Sequence, residues 1–311
     1  MAIIAVLDSA SPVSRGKELD AFFSGLASAG IDGDDTKVLF AWANNVYSRL
    51  PGLAEQLAND SEIKVIVAAG GPISAIEAKK KTTTKPIVFT TVTDPVASGL
   101  VQSLSAPGGN ATGTWGKTTE LDEARLRALC DLTGSGTIGI LANPARPFPV
   151  SANATEQRTN LEAKATAFGR SAVVVDAFTD SEIDAAFSAF QGNIAGLLVT
   201  ADPFFNSRRE RVLELAENLA VPAIFQWSGF VTDGGLMSYG TSKEEGYFNA
   251  GEYAGRIVKN NEQPADLPVR EANSLSLFVN ANTANSLNVN PSSSNFSLMV
   301  SNLGVTTINN I

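Results

Sequence analysis

Short apolar runs alternate with helical stretches along most of this chain, and that alternation restricts the fold more than any other feature. Residues 3–7, 37–40, 65–68 and 87–89 read as buried strands, with helices expected at 17–29, 53–59 and 72–81 between them. The order β-α-β-α-β-α-β implies a parallel sheet covered by helices on both faces. A short helix or turn is expected at 98–104. The turn formers of Ala106-Pro107-Gly108-Gly109-Asn110-Ala111-Thr112-Gly113-Thr114 then break the alternation. It resumes with helices at 120–132, 153–168, 181–191 and 207–219, and strands at 137–141, 172–175, 195–199 and 223–226. A strand at 235–239, a helix at 243–259, a polar turn at 260–268 and a strand at 274–279 follow. Beyond Asn290 apolar residues lie scattered among Ser and Asn, and order is expected only where 296–303 docks. At 311 residues the chain exceeds what one core usually serves. Two similar α/β halves are the expected architecture.

The chain contains no histidine and a single cysteine, Cys130. Histidine-dependent triads are therefore excluded, along with the commonest general base and the commonest metal ligand. One cysteine cannot form an intramolecular disulfide or a Cys-rich zinc site, and Cys130 reads as a small buried hydrophobe of helix 120–132. Neither a GxSxG elbow nor an HExxH motif is present. No cofactor, metal or enzymatic role is expected. The net charge of −9 disfavours nucleic acid and anionic membrane surfaces as partners. No run of 18 or more apolar residues, the length needed to span a bilayer as a helix, appears in the sequence. The first residues enter a strand directly, without a basic segment, apolar core and cleavage site in order, so the protein is either cytoplasmic or lacks a removed signal peptide.

In an open parallel sheet, ligands are held by the loops at the carboxyl ends of the strands. The stretch from Thr200 to Arg211 is the strongest of these: Asp202, Phe204, Phe205 and Asn206 supply a charge, two ring faces and an amide, a set that suits a small organic molecule better than a phosphate. Its charge run Arg208-Arg209-Glu210-Arg211 reads as a solvated helix face. Gly70-Gly71-Pro72-Ile73-Ser74 follows a buried strand and opens a helix, whose first-turn N–H groups can receive a carboxylate or phosphate. Pro72 suits the first helical position. A plain strand-to-helix turn with Ser74 on the surface is the other reading. Asp8-Ser9-Ala10-Ser11-Pro12 and Thr90-Thr91-Val92-Thr93-Asp94-Pro95 bring hydroxyls and carboxylates to the same edge, either to orient a ligand or to cap helices. Trp42 and Trp227 follow strands and serve as stacking walls or as core filler. Arg146, in a Pro-rich loop, is a carboxylate clamp or a surface arginine.

Several stretches, taken in order, carry a resemblance to a known family. They are Ala41-Trp42-Ala43, Arg49-Leu50-Pro51, Val67-Ala68-Ala69-Gly70-Gly71-Pro72, Pro86-Ile87-Val88-Phe89 with Asp94-Pro95-Val96, and Pro107-Gly108-Gly109-Asn110-Ala111-Thr112-Gly113. Asp202-Pro203-Phe204-Phe205-Asn206-Ser207-Arg208-Arg209, Gly234-Gly235-Leu236-Met237-Ser238-Tyr239-Gly240 and Pro264-Ala265-Asp266-Leu267-Pro268-Val269 complete the series. Together they resemble the substrate-binding proteins of ABC transporters, in the family with type I periplasmic-binding-protein folds that includes tryptophan- and tyrosine-binding members. The resemblance extends to about Val289; the tail beyond Asn290 does not look like the usual family ending.

The resemblance implies two Rossmann-like lobes with parallel sheets, joined by three crossings near 113–116, 239–241 and 272–276. Residues 1–114 with 241–273 would form one lobe, and 115–240 with 274–311 the other. It also implies a monomer in the periplasm, or lipid-anchored, that closes on a small ligand and delivers it to permease subunits. Ligand contacts are then expected from Trp42, Gly71, Ser74, Thr91, Asp94, Asp202, Phe204, Asn206, Trp227 and Tyr239. A ligand-sensing domain that presents a small molecule to a signalling receptor is the alternative.

Overall fold

The computed structural model describes residues 2–12, 16–31, 33, 36–117, 121–143, 154–272, 274–305 and 308–310, with backbone alone at 154–159 and 203. Arg146 lies outside the described residues. The chain divides into two compact units. One comprises the described residues up to Lys117 together with Ser242–Ser274; the other comprises those from Leu121 to Thr241 together with those from Leu275 onward.

The first unit begins with β1 (Ala2–Asp8), α1 (Gly16–Ser28), β2 (Thr36–Trp42), α2 (Leu50–Asn59), β3 (Ile63–Ala69), α3 (Pro72–Lys81), β4 (Ile87–Thr91) and β5 (Ala111–Trp115). The second runs through α4 (Asp122–Thr133), β6 (Ile138–Ala142), α5 (Ala154–Ala167), β7 (Ala172–Asp176), α6 (Asp180–Phe190), β8 (Gly196–Val199), α7 (Pro203–Ser207), α8 (Arg209–Leu219), β9 (Ala223–Phe225), α9 (Ser228–Thr232) and β10 (Met237–Thr241). The chain then adds α10 (Lys243–Asn260) and β11 (Arg270–Glu271) to the first unit. It ends with β12 (Leu275–Val279), α11 (Ala281–Ser286), α12 (Ser294–Leu303) and β13 (Ile308–Asn310) in the second.

Among the described residues the first sheet has the order β11-β5-β4-β3-β1-β2 and is parallel throughout. The second has the order β13-β12-β10-β9-β8-β6-β7 and is parallel except between β10 and β12. The expected α/β architecture is therefore present, with two mainly parallel sheets. Burial of β1, β3 and β4 on both faces explains their unbroken apolar runs. Core residues lie on either side of the first sheet, Leu7, Ile66 and Phe89 on the α2–α3 side and Val6, Val67 and Val88 on the α1–α10 side.

Two segments differ from the sequence expectation. Residues 111–115 form a strand where only a turn-rich break was expected, and β5 pairs with β4 along its whole length. Gly113 permits this close pairing, since a Cβ there would lie 2.1 Å from the Phe89 carbonyl oxygen. The tail docks over 296–303 as expected and adds β13, which pairs with β12. Ser293 caps α12 by accepting the Phe296 N–H at 3.2 Å, and Gly304 closes it in the left-handed conformation at φ 65°. Phe296, Met299 and Leu303, at helical spacing, join the core of the second unit.

Cys130 belongs to that same core. Burial pushes its thiol up to about 11, so at neutral pH the reactive thiolate is scarce. The native protein is expected to resist thiol-specific reagents at pH 8 and to react stoichiometrically once unfolded in urea. Rapid labelling of the folded protein would contradict the burial.

Candidate ligand-binding site

Because the strands run parallel, each unit gathers its strand-end loops on one edge of its sheet. In the first unit Asp8, the last residue of β1, stands in register with Trp42 of β2 and Ala69 of β3. Asp8 is fully buried; its Oδ1 accepts the Ala10 N–H at 2.8 Å and its Oδ2 accepts the Tyr247 hydroxyl at 2.9 Å. The Ser9 hydroxyl donates to the Gly70 carbonyl at 2.6 Å, tying the loop after β1 to the loop after β3. Only glycine fits at 70, where φ is +79° and a Cβ would fall 2.1 Å from Asp8 Oδ1.

Gly71, at φ 113°, is the N-cap of α3 and offers no side chain to the first-turn N–H groups. Pro72 occupies the first turn as expected. Ser74 is not a surface hydroxyl. It is fully buried, and its Oγ has no hydrogen-bond partner. Such a group is destabilising by about 1–3 kcal/mol unless something pairs with it.

Thr91 ends β4 opposite Trp115 of β5. Its hydroxyl lies 3.2 Å from Thr93 Oγ1 and accepts the Thr93 N–H at 3.2 Å, so it organises its own loop. Asp94 does likewise: its Oδ1 accepts the N–H groups of Val96 at 2.7 Å and Ala97 at 3.1 Å. This oxygen therefore closes a turn of its own loop, with no helix following it to cap. Trp42 is half-buried and stacks on Phe40 with ring centroids 5.5 Å apart. The Trp115 indole, buried at the end of β5, also has an unpartnered Nε1–H. It escaped the sequence reading because β5 itself was read as a break.

In the second unit Asp202 is buried and caps α7, accepting the Phe204 N–H at 2.8 Å and the Asn143 side-chain amide at 3.1 Å on Oδ1. Phe204 is half-buried, tilted against Phe205 and covered by the Arg208 guanidinium 4.7 Å from its centroid. Asn206 lies in the single turn of α7, its N–H bonded to the Asp202 carbonyl at 3.2 Å. Trp227, 7% exposed, leads into α9. Arg208, Arg209 and Arg211 pair with Asp180, Asp233 and Asp184 on the surface, as a solvated face should.

Tyr239 departs from its expected role. Its ring lies in the core and its hydroxyl donates to the Leu303 carbonyl at 3.2 Å. The docked tail accounts for this, because α12 brings an acceptor to a phenol that was expected to face a ligand. Beside it, sequence reading passed over Gln226, which is fully buried with neither Oε1 nor Nε2 paired. The available signal was a polar residue directly after the apolar strand Ala223–Phe225.

The family model for ABC transporter substrate binding proteins matches residues 3–297. The chain belongs to the ABC transporter substrate-binding protein family. This substrate-binding protein is 30% identical over 278 residues to the tyrosine-binding protein of Clostridioides difficile (strain R20291), covering 89% of this chain and 78% of that relative. Among solved structures, the ABC domain in complex with L-Trp from Streptococcus pneumonia superposes with a TM-score of 0.82 at 22% identity, covering 95% of this chain and 97% of that one. The ligand-free, open structure of a substrate binding protein with adhesive properties from Clostridium difficile has a TM-score of 0.66 at 26% identity, covering 100% and 99%. The fold is the two-lobe α/β fold of periplasmic binding proteins. The family is non-enzymatic and binds small molecules for ABC transporters outside the cytoplasm. None of the described helices is long and apolar enough to cross a membrane.

Proposed function

We propose that this protein is the solute-binding component of an ABC importer that captures an aromatic, amino-acid-like carboxylate in the periplasm and delivers it to the permease. One observation carries the reading: Ser74 keeps an unpartnered hydroxyl, wholly buried, in the first turn of a helix that has no side-chain cap. First-turn N–H groups and a hydroxyl donor together suit a carboxylate. The tyrosine-binding relative supports an aromatic amino acid as the class. Trp42, Phe204 and Trp227 supply ring faces at strand ends for a ligand ring. Gly71, Thr91, Asp94, Asp202 and Asn206 shape the surrounding loops.

Thermal unfolding tests the class directly, because a ligand that binds only the folded protein raises its melting temperature. Tyrosine, tryptophan and phenylalanine are expected to do so, and sugars are not. By calorimetry, Ser74→Ala is expected to weaken binding of the best of them about tenfold, the loss of roughly one charge-assisted hydrogen bond. Trp227→Ala is expected to weaken it at least as much. If both variants bind with wild-type affinity, the assigned site is wrong. A hit among sugars alone would keep the transport role and overturn the carboxylate.

A further inference from the structure

Gln226 immediately follows β9, at the carboxyl edge of the second sheet. Strand alternation puts its side chain on the face of Ile224, which packs in the core with Met237 and Tyr239. Two polar side chains of α4 work near this edge: Arg125 donates through Nε to the Tyr239 carbonyl at 2.8 Å, and Asp122 Oδ1 accepts the Ala201 N–H at 3.3 Å. Neither reaches the Gln226 amide, whose two polar atoms are both buried without a partner. The backbone at this point is held firmly, since β10 approaches so closely that a Cβ on Gly240 would lie 2.3 Å from the Gln226 carbonyl. The orphan amide is therefore carried by backbone that β10 packs against closely.

A primary amide presents a donor and an acceptor together. A carboxylate satisfies only the donor and an ammonium only the acceptor. A hydroxyl both accepts and donates, so it satisfies either or both. We infer that Gln226 is a specificity-determining residue that recognises a hydroxyl on the ring end of the ligand, favouring a phenol over an unsubstituted phenyl ring. The inference rests on the proposed binding of an aromatic, amino-acid-like carboxylate.

Calorimetric titration of tyrosine and phenylalanine into the wild-type protein, Gln226→Met and Gln226→Leu tests it, with ligand-free melting temperatures measured alongside. The wild type is expected to prefer tyrosine by about tenfold or more, because phenylalanine leaves the buried amide unpaired. Both variants are expected to bring the two affinities within about threefold of each other, by weakening tyrosine and sparing phenylalanine. Their ligand-free melting temperatures are expected to equal or exceed that of the wild type, since an apolar side chain replaces an unpaired amide. Equal affinities in the wild type, or an unchanged preference in either folded variant, would overturn the role of Gln226 and leave the transport reading intact. If the wild type binds neither amino acid, the aromatic carboxylate reading falls and this inference falls with it.

Discussion

Arg125→Met is expected to lower the stability of the second unit by about 3–5 kcal/mol, the usual consequence of stranding one member of a buried ion pair. Arg125 has no solvent exposure, and Asp122, its partner one turn earlier on α4, is almost as deeply buried. Desolvating both charges costs several kcal/mol each, and the mutual attraction offsets this only while the pair is intact. The pair also works as a bracket. Arg125 holds the backbone of β10 through the Tyr239 carbonyl, and Asp122 holds the loop after β8 through the Ala201 N–H. Removing the guanidinium therefore leaves a buried carboxylate and a buried carbonyl short of a donor. Urea denaturation should show the shift as a lower midpoint. Asp122→Asn combined with Arg125→Met is expected to recover part of the loss, because the stranded charge is gone. A single variant within about 1 kcal/mol of wild type would mean that the pair contributes little net stability.

Both members of that pair were visible in the sequence as an i, i+3 couple, yet nothing marked them as buried. The clue is spacing: residues 122, 125, 126, 129 and 130 share one helix face, and three of these are Leu126, Leu129 and Cys130. Most of the fold was legible because strands buried on both faces must be apolar throughout, and helices beside them must be periodic. What escaped were segments whose partners lie far away in sequence. The strand character of 111–115 comes from β4 on one side and β11 on the other, and β11 arrives more than 150 residues later. Docking of 296–303 could be read in the tail, but the pairing of β13 with β12 could not. The partner of the Tyr239 hydroxyl, the Leu303 carbonyl, lies in that docked tail. Strand-end placement of Ser74 and Trp227 could be read directly. The unpaired amide of Gln226 could not, because hydrogen-bond satisfaction is a property of the packed surroundings.

Gly251→Ala should separate two physical effects that predict opposite signs. On helix propensity alone, alanine in the interior of α10 would stabilise the protein by about 1 kcal/mol over glycine. The packing of α10 on α1 predicts the reverse. A Cβ at 251 would lie 2.1 Å from the Phe22 carbonyl oxygen and 3.1 Å from the Leu26 nitrogen, both backbone atoms of α1 that cannot swing aside. The contact is reciprocal, since a Cβ at Gly25 of α1 would lie 2.0 Å from the Phe248 carbonyl oxygen of α10. The two helix backbones touch through glycine on both sides, and even one methyl group must drive them apart. Separation would open the packing around Phe22, Leu26, Ala250 and Ala254, all buried between these helices and the first sheet. A loss of about 3 kcal/mol is expected for Gly251→Ala, and more for Gly251→Val. Gly52→Ala in α2 is the matched control. It too is a helical glycine, but nothing lies within 4 Å of its added Cβ, so it is expected to stabilise by up to about 1 kcal/mol. Urea midpoints that fall for Gly251→Ala and rise for Gly52→Ala would locate the effect in the α1–α10 contact. A Gly251→Ala variant as stable as the control would show that α10 can shift at little cost, and that the approach of the two backbones is not what fixes its position.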